Sequence, residues 1–312
     1  MRVFFAGASG AIGPVLTPRL VEAGHEVVAL TRTPSKAERL AADGADPVVC
    51  DVLDTAALRD AVVSAKPDAV VHHLTDLPQQ MTPGALKVGL EATNRVRTEG
   101  TANLIDAARE AGARRIVAQS IAFAYAPKPT GLYDESDPLY VDAPTPGGEA
   151  AGAVAELERQ VTNADGLAGV ALRFGFWYGP RTAYAPDGHW AAEVRRRRLP
   201  IVGAGSAVWS FVHVDDVAAA TLAALERGDP GVYNIADDDP APAREWIPAY
   251  AEAVGAKPPR RVPTLLVRMV AGRYAVFLSR DLRGASNEKA KRELGFEPRW
   301  PSWRRGFSEA LG

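Results

Sequence analysis

The chain has 312 residues, 47% of them apolar, with 36 basic against 38 acidic side chains and one cysteine, Cys50. Near-balanced charge leaves no footprint for nucleic acid, and no apolar run reaches the roughly 18 residues of a membrane span. A lone cysteine excludes an intrachain disulfide and suits a cytoplasmic protein, and a first strand at Arg2 leaves no room for a secretory leader.

Short apolar runs alternate with longer amphipathic ones. Val3–Ala6, Glu26–Thr31, Pro47–Cys50, Ala69–His73, Arg115–Ser120 and Val170–Phe174 are predicted strands. Ile12–Ala23, Ser35–Asp43, Thr55–Ala65, Leu86–Ala111 and Gly147–Ala164 are predicted helices. The alternation specifies an α/β fold, a Rossmann-type doubly wound parallel sheet with helices on both faces. After Gly179-Pro180 the pattern loosens into loops and short helices, while Val208–Val217 and Val232–Ala236 read as returning to the core. Residues 1–175 are expected to form the main domain, with 206–236 returning to it. Residues 176–205 and 237–312 then make a smaller, discontinuous C-terminal substrate domain.

The first strand feeds straight into Gly7-Ala8-Ser9-Gly10-Ala11-Ile12-Gly13. Gly7 permits the tight turn, Gly10 lets backbone approach a pyrophosphate, and Gly13 lets the helix pack close. The helix start then offers N–H groups to the phosphates. This predicts a dinucleotide site in which Gly7, Ser9, Gly10, Ala11, Ile12 and Gly13 cradle the cofactor. The second strand ends Thr31-Arg32, with no acidic residue for a ribose 2′-hydroxyl. Arg32 suits a 2′-phosphate, so NADP(H) is expected ahead of NAD(H). Asp51 and Val52 after the third strand, and Leu74 and Thr75 after the fourth, complete the expected cofactor contacts. No metal site is expected.

Four stretches carry a family resemblance. Gly7–Gly13 matches a GxxGxxG pattern, and Leu172–Pro180 looks like LRxxxxYGP. Trp209–Val217 is close to SFVHVDDVA, and Gly231–Ile235 resembles GxxYNI. Together they resemble the extended short-chain dehydrogenase/reductases, the NAD-dependent epimerase/dehydratase family. The resemblance implies nicotinamide chemistry on a small organic substrate. It also implies a homodimer paired through the helices at Leu86–Ala111 and Gly147–Ala164.

The family's chemistry rests on Ser or Thr after the fifth strand and on a YxxxK pair in the next long helix. Ser120 fits the first place, although a register anchored on Tyr125 puts Ile121 there instead. Neither Tyr nor Lys occurs from Val141 to Gln160. Counting back from Glu156 puts Gly148 and Gly152 at the pair, and a register two residues later puts Ala150 and Val154 there. Where the family often has NxxGT, this chain has Arg97-Thr98-Glu99-Gly100-Thr101, so Arg97 takes the asparagine place unless Asn94 substitutes after a local shift.

Loss of the pair removes general acid–base help worth roughly 10²–10⁴-fold. Candidate catalytic residues are therefore Ser120, Tyr125 and Tyr133, the tyrosines as non-standard proton donors. Small residues at Gly147–Gly152 are expected to leave space for a bulky or aromatic substrate, with Trp177, Tyr184, Trp190 and Trp209 as further lining. Three functions stay open. One is an oxidoreductase whose substrate or solvent supplies the proton. The second is a non-redox isomerase, lyase or cyclase retaining the dinucleotide. The third is an NADP-sensing protein without catalysis.

Overall fold

The computed structural model describes residues 1–78 and 83–310; Leu311 and Gly312, at the end of the expected second segment, lie outside the described residues. Its centre is a seven-stranded sheet. In chain order its first six strands are β1 (Arg2–Ala6), β2 (Glu26–Thr31), β3 (Asp46–Val49), β4 (Ala69–His72), β5 (Arg115–Ile121) and β6 (Ala168–Phe174). Short strands β7 (Phe176–Tyr178), β8 (Ile201–Val202), β9 (Val208–Trp209) and β10 (Phe211–His213) follow, then β11 (Gly231–Ile235). The sheet order is β11-β6-β5-β4-β1-β2-β3, and every pair in it is parallel.

Helices α1 (Gly13–Glu22), α2 (Ala37–Ala42) and α3 (Thr55–Ala65) link the first strands. The expected single helix from Leu86 is interrupted. Helix α4 (Pro83–Arg95) and helix α5 (Thr101–Glu110) are joined by a π-turn at Val96–Gly100. Helix α6 (Gly147–Thr162) precedes β6. Two apolar layers result, as strands buried on both faces require. One contains Leu16, Val71, Val170 and Val217, and the other Phe4, Val70, Leu104, Leu157 and Val161.

The segment expected to return to the sheet at Val208–Val217 splits in two. Strand β10 pairs with β7, not with the sheet, while α8 (Val214–Glu226, after a short α7 at His189–Arg195) lies over α1. Arg19 fixes that contact by donating to the Asp215 carbonyl and carboxylate, both at 2.6 Å. Only β11 joins the sheet, at its β6 edge. The smaller part adds β12 (Ala241–Pro242), β13 (Arg261–Val262), α9 (Ala243–Ala253), α10 (Thr264–Val276), α11 (Glu288–Leu294) and α12 (Trp303–Ala310). Its own core is aromatic, with Tyr178, Tyr184, Phe211, Trp246, Tyr250, Trp303 and Phe307 buried together. Among the described residues no helix is long and apolar enough to cross a membrane.

Candidate active site

The glycine loop sits at the carboxyl ends of β1 and β4. Gly7 holds φ +113°, and an added β-carbon would meet the His73 carbonyl at 2.7 Å. At Gly13 an added β-carbon would overlap the Ala8 carbonyl. Both glycines are thus demanded by backbone approach. Helix α1 starts without a side-chain cap, and its first intrahelical bonds run from Val15 and Leu16 to the Ile12 carbonyl. The N–H groups of Ala11, Ile12 and Gly13 precede that ladder and suit a bound pyrophosphate. Ser9, half-buried, accepts from the Thr31 hydroxyl at 3.2 Å. These residues fit a dinucleotide.

At the end of β2 the exposed Arg32 guanidinium makes a two-pronged ion pair with Asp76, one arm at 2.9 Å. The pair holds the Asp76 carboxyl below its ordinary range. Thr93 accepts the Asp76 N–H at 2.9 Å, tying this loop to α4. Asp51 is exposed and accepts from Leu53 N–H at 2.9 Å, while Val52 is buried, with its carbonyl held by Asn103. Leu74 is half-buried and Thr75 exposed at the mouth of β4.

The three expected catalytic hydroxyls lie inside the protein. The Ser120 hydroxyl donates to Glu158 at 2.6 Å, and Glu158 receives two bonds from Arg173, at 2.7 and 2.6 Å. Serine, glutamate and arginine are all under a tenth exposed. The Arg173 guanidinium also lies over the Tyr125 ring at 4.7 Å. Tyr125 donates to the Asn234 side chain at 2.6 Å, and burial pushes its phenol far above the ordinary value. Tyr133 stacks on Tyr125 at 4.6 Å, fully buried, its phenol pushed up by burial to about 12. Ser120, Tyr125 and Tyr133 are thus brought together, but as a closed interior network joining β5, β6, β11 and α6.

That network distinguishes the two glutamates of α6. Glu156 lies on the surface with Arg159, whereas Glu158 is the buried carboxylate of the helix. Ala150 and Val154 lie eight and four residues before Glu158, the spacing of the second of the two expected registers. On β5 the residue after Ser120 points the other way, because side chains alternate along a strand. Ile121 is half-buried there and packs with Ala124, Ala151, Val154 and Leu139. The side of β5 and α6 around Ile121 and Val154 is apolar.

The space expected beside Gly147–Gly152 is largely filled. An added β-carbon on Gly147 would fall within the Tyr274 ring, and one on Gly148 would meet the carbonyls of Ala143 and Val141. Only Gly152 faces open room. Tyr184 belongs to the aromatic core. Trp209 is half-buried and stacks on Phe176 at 3.8 Å, and Phe176 stacks on Phe123 at 4.3 Å. This ladder was hidden in the sequence, where Phe123 and Phe176 read as ordinary apolar positions. The two best-defined hollows among the described residues lie elsewhere, one of 540 Å³ beside Glu135 and Lys289, the other between α5 and α6. Both are shallow surface features without a glycine cradle, so the loop geometry and not hollow size locates the site.

The chain belongs to the NAD dependent epimerase/dehydratase family, whose model matches residues 3–236. It is therefore an NAD(P)-dependent enzyme of the oxidoreductase and epimerase-like class, acting on a small molecule with a nicotinamide dinucleotide. It is 48% identical over 308 residues to a 3-diazoavenalumate denitrifying reductase of a Streptomyces species, covering 98% of this chain and 99% of that one. It is 29% identical to the 4-hydroxy-2-methyl-3-oxo-4-farnesyl-3,4-dihydroquinoline-1-oxide ketoreductase of Stigmatella aurantiaca, covering 96% and 92%. Among solved structures, the UDP-glucose 4-epimerase of Thermus thermophilus in complex with NAD matches with TM-score 0.77 and 26% identity, covering 100% and 98%.

Proposed function

We propose that the protein is an NADPH-dependent reductase that replaces the diazo group of an aromatic substrate with hydrogen. One observation carries the reading. Ile121 and Val154 lie in one apolar layer with Ala124, Ala151 and Leu139, and in the register counted from Glu158 they and Ala150 take the places where the family keeps a hydroxyl, an ammonium and a phenol, so those three places supply no proton donor. Reduction of a ketone makes an alkoxide that needs a proton at once. The dinucleotide, when bound, supplies hydride, and a diazonium carbon that takes hydride sheds N₂ with the C–N electron pair, consuming no proton. The Streptomyces relative, named for a denitrifying reduction of a diazo compound, supports this chemistry.

The chain's own residues then have simple tasks. Ile121, Ala124 and Val154 keep water from the reacting carbon, where it would compete with hydride. The half-exposed faces of Phe123, Phe176 and Trp209 suit a flat arene. Ser120, Glu158 and Arg173 hold β5 and α6 in register beneath the face. Arg32 favours a 2′-phosphate, once its pairing with Asp76 is shared or released.

The test uses NADPH deuterated at the transferring carbon and an aromatic diazo acid. The expected result is one N₂ and one NADP⁺ per turnover, with deuterium on the carbon that lost nitrogen. Deuterium arriving there from D₂O with unlabelled NADPH, or turnover of ketones without turnover of diazo compounds, overturns the proposal.

A further inference from the structure

The apolar face has one charged neighbour without a mate. Arg97 lies in the π-turn between α4 and α5, 6% exposed. π-Turns inside helices are frequent at functional sites. This one is braced from below, because the Thr101 hydroxyl donates to the Arg97 carbonyl at 2.6 Å and meets His72 Nε2 at 3.0 Å. Gly100 leaves room for Val52 beneath it. The Arg97 guanidinium makes no hydrogen bond and no ion pair among the described residues, whereas the neighbouring Glu158 is saturated by Ser120 and Arg173. Burial pulls Arg97 down to about 10, so it stays charged at neutral pH.

The residue is buried but its guanidinium nitrogens are not sealed off, so a partly desolvated cation keeps five donors free for something that arrives to use them. Besides Glu158 and His72, the group whose field reaches it is Tyr274, whose ring rests on Gly147 at the start of α6, the helix against which the Val96–Gly100 turn packs. Burial raises that phenol to about 12, against the pull of Arg97, so it too is a donor at neutral pH. Its hydroxyl has no hydrogen-bond partner among the described residues. The dinucleotide's phosphates belong at Gly7–Gly13 and Arg32, beside other strands. A planar guanidinium with a phenol beside it matches a carboxylate.

The geometry points to Arg97 and Tyr274 as the subsite that receives the acid group of the substrate, making this enzyme selective for aromatic organic acids. The inference deepens the reductase reading by naming the substrate class of the same face, and it requires no particular bond to break.

Calorimetry on the NADP⁺-loaded protein tests it, with benzoate, cinnamate and their methyl esters as probes. None carries a diazo group, so the outcome is separate from that of the labelling experiment. The wild type is expected to bind the acids ahead of the esters. Arg97→Gln should weaken acid binding by about 10- to 100-fold, leaving the esters and NADP⁺ within twofold. Arg97→Lys should fall between, because charge remains but the fork is lost. Tyr274→Phe should cost a smaller factor, for acids only. Equal acid and ester binding by the wild type overturns the inference. So does unchanged acid binding in Arg97→Gln, or a parallel loss of NADP⁺ affinity in a variant whose melting is normal. If Arg97→Gln does not fold, Arg97→Lys and Tyr274→Phe decide on the same acid-to-ester ratio.

Discussion

The ring of Tyr274 occupies the space that a side chain on residue 147 would need. Gly147 opens α6, and Tyr274 reaches it from α10 in the smaller part. The glycine makes room for a neighbour's aromatic ring. Gly147→Ala should therefore displace Tyr274 and destabilise the protein by about 1–3 kcal/mol, the range for overpacking. Thermal melting measures it, and Gly152→Ala, which faces open room, is the control expected to leave stability unchanged or raised.

Glu158 and Glu156 should answer differently to the same change. Glu158→Gln leaves Arg173 buried without its counter-charge and should cost about 3–5 kcal/mol. Glu156→Gln touches a solvent-accessible pair with Arg159 and a hydrogen bond from Gln160, which a glutamine oxygen can still accept, and should stay within about 0.5 kcal/mol. Urea denaturation of both variants checks the assignment of the buried acid.

Ser120→Ala separates a catalytic hydroxyl from a structural one. The hydroxyl bonds a buried carboxylate, so its loss should lower stability by about 1–3 kcal/mol. With Ser120 as a positioning residue, kcat should hold within about threefold. A fall of the roughly 10²-fold expected for a lost acid–base partner would return Ser120 to the chemistry.

Cofactor choice should turn on Arg32 and Asp76. Arg32→Ala should erase the preference for NADPH over NADH, measured as the ratio of dissociation constants. Asp76→Asn should sharpen it, because the carboxylate competes with a 2′-phosphate for the same guanidinium. Equal affinity for both cofactors in the wild type, unmoved by either change, would refute the role.

Acid should unfold the protein through its buried histidines. Burial lowers His72 to about 4, with the Arg97 charge adding to the effect, and His73 to about 3. Both lie below the ordinary value near 6.5, so the unfolded chain takes up protons first. Stability from this pair is then fully present above pH 6.5 and lost as pH falls toward 3, at up to about 2.7 kcal/mol per pH unit for two protons, and His213, which burial lowers to about 4, adds up to one proton more. Urea midpoints between pH 7 and 4 measure the slope, and His72→Asn should reduce it by up to one proton.

The glycine loop was legible because it answers to backbone alone. Gly7 and Gly13 abut main-chain atoms, and no distant side chain decides their role. The inward glutamate was not legible. Glu156 and Glu158 lie two residues apart on one helix, and local pattern does not say which meets Arg173, a partner on the following strand. Arg97 stood out as a departure from the NxxGT pattern, but the π-turn that holds it packs against α6, far along the chain. Tyr274 gave no signal at all. Nothing near it in sequence announces that its ring completes a helix start far earlier in the chain. Cofactor sites built from backbone can be read locally, whereas a face built from contacts between distant segments is seen only when the segments meet.

The packing of Val154 also limits what can be built at position 154. A lysine there would enter a dry layer of Ile121, Ala124 and Ala151, with the unpaired Arg97 cation on the adjoining turn. The two cations would share one saturated acid, Glu158. Arg97 and a lysine at 154 therefore oppose each other, and a variant given the lysine alone would be destabilised. A variant meant to carry that lysine needs position 97 changed first. The order of the substitutions, and not their number, decides whether such a variant folds.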